Sequence, residues 1–385
     1  MGQPSQLYQA LGGAAGCRAL SRGFYARVEQ DPVLRPFFPS TFKCAIDEFS
    51  AFLVQFLGGE SDAMQHRWQL SLRESHARLP LGERERNAWL RAMTATLHDA
   101  SLVPDAEVRR ELLAFFQHSS TYIVRVQPAK PLTGEAAPLW DEQLALEELV
   151  ALVRVPNQTQ RCIDLLEGPV LRARFERSPS VHASILSLLA TSENPALRDE
   201  AIKQLRANPS LVHERYKQNR TLLHDAAGSG DVKLVELLLD LGAGATADPE
   251  GCRTPLYCVG NECTNPGGAQ IVRLLLERSA ARVNAKHGAK DCTALHMAAR
   301  RGNVDVIAAL LDGGADIEAR DSAGDTPLRR AVNLNKVEAA KLLLAKGADP
   351  NSLGSKATTP ARAARSPQMK QLFSLRGKRG VVDAN

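Results

Sequence analysis

Apolar residues recur along this chain at three- and four-residue spacings almost throughout, while alternating runs are nearly absent, so the pattern predicts helices and an all-α fold. The first block carries four clear stretches: SRGFYARVEQ (21–30), FSAFLVQFLGG (49–59), NAWLRAM (87–93) and ELLAFFQHSSTYIV (111–124). After Val126 the pattern stops. Pro128, Pro131 and Pro138 come in quick succession, a density that breaks helices, and 128–140 reads as an interdomain linker. Shorter amphipathic stretches resume at DEQLALEELVALV (141–153), QRCIDLL (160–166), SVHASILSLLA (180–190) and ALRDEAIKQL (196–205). Pro156, Gly168, Pro179 and Pro195 separate them, so 141–217 is expected to be a connector of stacked helices leading into the last part of the chain, without chemistry of its own.

From 218 the chain repeats itself. TLLHDAA, TPLYCVG, TALHMAA, TPLRRAV and TPARAAR begin at Thr221, Thr254, Thr293, Thr326 and Thr359, spaced 33, 39, 33 and 33 residues apart. The first four are followed by Leu-rich runs, GDVKLVELLL, AQIVRLLL, GNVDVIAALL and NKVEAAKLLL, and then by small-residue closures such as GGADIEA. A period near 33 with this wording resembles the ankyrin repeat. The resemblance implies a solenoid over 218–375: four repeats, a partial fifth and a terminal cap, SPQMKQLFSLRG, with a degenerate unit before them in NPSLVHERYKQN. The six extra residues of the second repeat fall around Asn261–Gly268, where a loop absorbs them at small entropic cost. The end, 376–385, is expected to be disordered.

Charge changes the picture little. Lys and Arg number 48 against 43 Asp and Glu, a spread-out net +5, which argues against a dedicated nucleic-acid binder. No long apolar run predicts a membrane span, the N-terminus shows no secretory pattern, and Gln6 stands where a myristoylation signal wants Ser or Thr. Seven scattered cysteines then read as reduced thiols in a cytoplasmic protein.

Aromatic residues change it more. Of 19 Phe, Tyr and Trp, 14 lie in 1–127, so the two halves of the chain are built on different plans. Within that block LYQALGG (7–13), SRGFYARVEQDPVLRPFFP (21–39), FSAFLVQFLGG (49–59), LRESHARLPLGERERNAWLRAM (72–93) and the closing helix at 111–124 come in an order and spacing that resemble a truncated haemoglobin, most like its second group. The resemblance implies a two-over-two helical sandwich over 1–127 that holds haem b. His76, seventeen residues after Gly59 and thirteen before Trp89, matches the proximal iron ligand, and its other ring nitrogen would donate one turn back, to the Leu72 carbonyl. Read alone, His76 is a surface histidine among Arg73, Glu74 and Arg78.

Tyr25 and Trp89 match the family's donors to a diatomic ligand, and Phe38 its ring against the porphyrin. Trp can only donate, which suits a ligand that draws negative charge. Read alone, each of the three is a core aromatic. Ala45 falls at the distal-gate position, with Cys44 competing for it, and Phe49 lies one turn on. The family's Gly-His-Pro and the basic residue before the ligand are absent. Trp68 and Ser75 stand there instead, which leaves propionate pairing to Arg73, Arg78 or Lys43 or to none of these. His66, His98 and His118 lie off the motif and read as structural.

Other clusters lead nowhere. Cys252, Cys258, Cys263 and Cys292, near His287 and His296, lack the tight spacings of a tetrahedral zinc site. His224 and His296 hold the fourth place of the Thr-Pro-Leu-His motif and read as architecture. Three functional classes compete. The first is a haem protein that binds O2 or NO at ferrous iron, with nitric-oxide dioxygenase or peroxidase-type redox activity as its enzymatic form. The second is a gas or redox sensor signalling through the ankyrin array. The third is an interaction scaffold whose globin is non-functional. In each, the array takes a protein partner.

Overall fold

A computed structural model of the chain describes residues 5–59, 71–72, 76–126, 128, 130–244, 253–279 and 281–377. The fold is all-α. No strand forms among the described residues, and an isolated antiparallel bridge joins His287 and Cys292. Of the tail expected over 376–385, the first two residues belong to helix Pro367–Gly377, and 378–385 lie outside the described residues. Two compact units divide the chain, 1–205 with 214–219, and 206–213 with 220–385.

The first unit begins with two helices, Gln6–Ala10 and Gly13–Gln30, joined at Gly12 and Gly13, whose φ of +89° and +65° side chains rarely adopt. Cys17, Leu20, Ser21, Phe24, Tyr25 and Val28 form the buried stripe of Gly13–Gln30, at alternating steps of three and one. That stripe meets helices Lys43–Phe56 and Glu83–Leu97, and Glu83–Leu97 in turn packs on Ala106–Val124. Asp105 caps the last of these, accepting from the Glu107 and Val108 N–H groups. Gly59 closes the Lys43–Phe56 segment against the Tyr8 ring. A Cβ there would lie 2.3 Å from that ring, so a side chain at 59 would have to displace Tyr8.

The boundary after this block falls differently from the proline pattern. Helix Ala136–Leu152 starts inside the stretch read as a linker, and Ala136, Leu139 and Trp140 belong to the core of the first block. Trp140 is 2% exposed, with its ring centroid 5.8 Å from Phe115 and 5.7 Å from Tyr122. The cause is the apolar content of 136–140, which finds a face on Ala106–Val124 as soon as the prolines at 128 and 131 are passed. Helices Thr159–Glu167, Pro169–Arg177 and Pro179–Ala190 pack onward from Ala136–Leu152, so the connector helices are part of the first unit. Arg174, 1% exposed, donates to the Gln55 carbonyl at the end of Lys43–Phe56 (3.1 Å). Burial and the nearby Arg177 push its guanidinium down to about 10.

The second unit is a stack of helix pairs. Thr254, Thr293, Thr326 and Thr359 each cap a first helix by accepting from the N–H three residues on. His224 and His296 tie neighbouring turns. Each accepts at Nδ1 from the N–H of its capping Thr and donates from Nε2, to the Arg253 carbonyl (2.8 Å) and the Asp325 carbonyl (3.0 Å). Where the motif lacks His, other groups do this work. Arg329 donates to the Thr358 and Thr359 carbonyls at 2.9 and 2.7 Å. Beside Tyr257, His287 approaches the capping Thr254 hydroxyl at 3.3 Å. Cys258, Cys263 and Cys292 are buried, and Cys252 lies outside the described residues.

Candidate functional site

Lys43–Phe56 presents Ala45, Glu48, Phe49 and Phe52, at i, i+3, i+4 and i+7, to a cavity of about 380 Å3 in the first unit. That size lies within the range of roughly 300–1,000 Å3 that small-molecule and cofactor sites occupy. Gly13–Gln30 contributes Phe24 and Tyr25, and Glu83–Leu97 contributes Arg86 and Trp89. Phe38, Leu72 and His76 complete the set, so the seven residues singled out from the sequence (Tyr25, Phe38, Ala45, Phe49, Leu72, His76 and Trp89) line one cavity. Cys44, the alternative to Ala45, lines it too.

The walls are mostly apolar, and nine of the residues that form them are Phe, Tyr or Trp. Tyr25 meets Phe38 edge-on at 5.4 Å and Phe49 at 6.3 Å, while Trp89 lies 5.1 Å from Phe24 and 6.4 Å from Phe49. Neither the Tyr25 hydroxyl nor the Trp89 indole N–H has a hydrogen-bond acceptor among the described residues. Burial first, and the charge of Glu48 second, push the Tyr25 phenol above its ordinary value of 10.0, so it stays protonated and able to donate.

His76 differs from the histidines of the repeats in which nitrogen carries the proton. Leu72 and His76 are both helical, and His76 Nδ1 lies 2.8 Å from the Leu72 carbonyl oxygen. A carbonyl only accepts, so Nδ1 holds the hydrogen and the lone pair is on Nε2, the nitrogen a metal takes. His224 and His296 are the opposite tautomer, with Nε2 spent on a protein carbonyl. Burial lowers the affinity of His76 for a second proton, which keeps the ring neutral.

Arg86 is the group that sequence reasoning missed. It is half-buried at the cavity, and its Nε donates to Ser120 Oγ (3.0 Å) and its Nη2 to the Gln117 carbonyl (3.2 Å). Its place three residues before Trp89 on one helix was the available signal. Lys43 and Arg78 are exposed and do not line the cavity, while His66, Trp68, Arg73 and Ser75 lie outside the described residues. Glu48 was missed as well, because an acid inside an apolar stripe reads as an interruption. A flat apolar group that carries a metal and carboxylates fits this donor set: rings for its faces, Nε2 for the metal, Arg86 for an acid.

Comparison with known proteins agrees with both halves of the sequence reading. Residues 6–122 match the bacterial-like globin family, 218–250 the ankyrin repeat, and 261–353 a model of three ankyrin repeats. Similar curated proteins include the human ankyrin repeat and SOCS box protein 16, 38% identical over 29% of this chain and 24% of its own length. The tyrosine-protein kinase HTK16 of Hydra vulgaris is 31% identical over 50% of this chain and 25% of its own. The BTB/POZ domain and ankyrin repeat-containing protein NBCL of Lotus japonicus is 41% identical over 27% and 20%. The chain thus spans about a quarter or less of the length of these relatives.

Proposed function

We propose that this chain, which joins a bacterial-like globin domain to ankyrin repeats, binds haem in the cavity of its first unit and a diatomic ligand, O2 or NO, on that haem. His76 is the iron ligand, through Nε2. Phe38 and Phe49 pack against the ring system, Arg86 pairs with a propionate, and Ala45 leaves an approach for the ligand. The observation that carries the reading is the His76 tautomer, set by the Leu72 carbonyl at 2.8 Å beside a ring-lined cavity. Haem bound there supplies a ferrous iron to which a diatomic ligand attaches.

The chain's own groups then do three things. Leu72 holds the Nδ1 proton of His76. Tyr25 and Trp89 aim an O–H and an N–H donor at charge that develops on the ligand. The aromatic walls keep water away, which strengthens those bonds. No Cys-x-x-Cys-His run occurs, which argues against thioether attachment, and the resemblance to truncated haemoglobins implies haem b. Two donors suit firm retention of O2 and its use in redox chemistry on NO. The repeats, stacked on Thr caps and histidine ties, present a face for a protein partner.

The absorption spectrum of the purified full-length chain after haem reconstitution tests this reading. A Soret band is expected in the wild type and its loss in His76→Ala, with recovery on adding free imidazole. A wild type without a Soret band overturns the haem reading, and a normal band in His76→Ala overturns the ligand assignment.

A further inference from the structure

Glu147 stands where an acid is not expected. It lies on helix Ala136–Leu152, in the connector, and is 5% exposed. Burying a carboxylate is unfavourable unless donors surround it. Here Ser71 Oγ donates to Oε2 at 2.5 Å, the Leu72 N–H donates to Oε1, and Gln143 Nε2 approaches Oε1 at 3.1 Å. Ser71 and Leu72 are themselves buried. Leu72 lies four residues before His76 in the chain. Glu147 therefore fixes the Leu72 backbone from helix Ala136–Leu152.

The same Leu72 offers its carbonyl to His76 Nδ1. A short relay thus runs from the connector carboxylate, through one residue, to the imidazole. We propose that Glu147 is a positioning residue for His76, and that occupation of the haem site is thereby coupled to the packing of helix Ala136–Leu152. This inference rests on the haem reading above. Two effects arise from the geometry. Fixing Leu72 fixes the ring orientation of His76. A negative charge two hydrogen bonds away also makes Nε2 a stronger donor to a metal. Coupling is reciprocal, so whatever the connector contributes to haem affinity, haem returns as order in the connector.

The test uses the full chain reconstituted with haem, as wild type, Glu147→Gln, and Glu148→Gln as a control, Glu148 being an exposed neighbour paired with Arg161. In Glu147→Gln the ferrous iron–histidine stretching band should move to lower frequency, the haem midpoint potential should rise, and transfer of haem to excess apomyoglobin should be about tenfold faster. Glu148→Gln should match the wild type. In the wild type, haem should slow hydrogen exchange of the amides over 136–152. An unchanged stretching band and transfer rate in a folded Glu147→Gln overturn the proposal. If that variant does not fold, hydrogen exchange of the wild type with and without haem decides, and equal exchange overturns it. A wild type with a normal Soret band that fails these tests leaves the haem reading standing and removes only the coupling.

Discussion

Replacing Tyr25 by Phe removes one oxygen and little else. The ring sits edge-on to Phe24 at 5.1 Å and to Phe38 at 5.4 Å, and Phe keeps both contacts. No acceptor among the described residues loses its donor, so the fold should be nearly unaffected. What is lost is a hydrogen bond to a ligand that carries negative charge, worth about 1.5–3 kcal/mol. At roughly 1.4 kcal/mol per factor of ten, O2 should leave about 10- to 100-fold faster, with association little changed. Stopped-flow displacement of O2 by CO measures this directly, and thermal melting of both proteins checks the fold. Trp89→Phe removes the second donor, and the double variant shows whether the two act independently. The phenol stays protonated because burial and Glu48 raise it above its ordinary value of 10.0. The folded chain thus keeps a proton that the unfolded chain releases near pH 10, so this stabilising contribution is complete below that pH and declines above it. No tyrosinate transition should appear in the O2 release rate between about pH 6 and 9. A release rate in Tyr25→Phe within about twofold of wild type would refute the assignment of Tyr25 as a ligand donor.

Arg86→Leu should speed haem transfer to apomyoglobin about fivefold, the worth of a half-exposed ion pair near 1 kcal/mol. An unchanged rate would take Arg86 out of the site. Trp140→Ala should lower the stability of the first unit by about 3–5 kcal/mol in denaturant titrations, since a buried indole is removed; a loss below about 1 kcal/mol would mean that the connector is only loosely attached. Mass-mapped alkylation at pH 8 should label the exposed Cys44 and spare Cys258, whose thiol burial pushes up to about 12. Haem should slow the labelling of Cys44, which lines the cavity, and equal labelling of the two thiols would contradict the burial pattern.

Much of this protein is local and was therefore legible in the chain. Thr221, Thr254, Thr293, Thr326 and Thr359 mark the starts of the repeats because a cap acts within three residues. Leu72 and His76 are one helical turn apart, so their hydrogen bond needs no tertiary information. The gathering of rings in 1–127 located the cavity, since nine of the residues that line it are Phe, Tyr or Trp from that block. Three-dimensional packing decided the rest. Ala136–Leu152 buries residues on more than one side, from Leu139 and Trp140 to Glu147 and Val150, and such a pattern names no neighbour. Its place in the first unit became visible only where Trp140 meets Phe115 and Glu147 meets Leu72. Tyr257 and Arg329 depart from the repeat wording, yet Arg329 bonds the next turn from the same position and His287 reaches the capping Thr254 from another. Periodicity sets which side of a helix is apolar; which surface that side meets depends on the free energies of competing packings, summed over residues far apart in the chain.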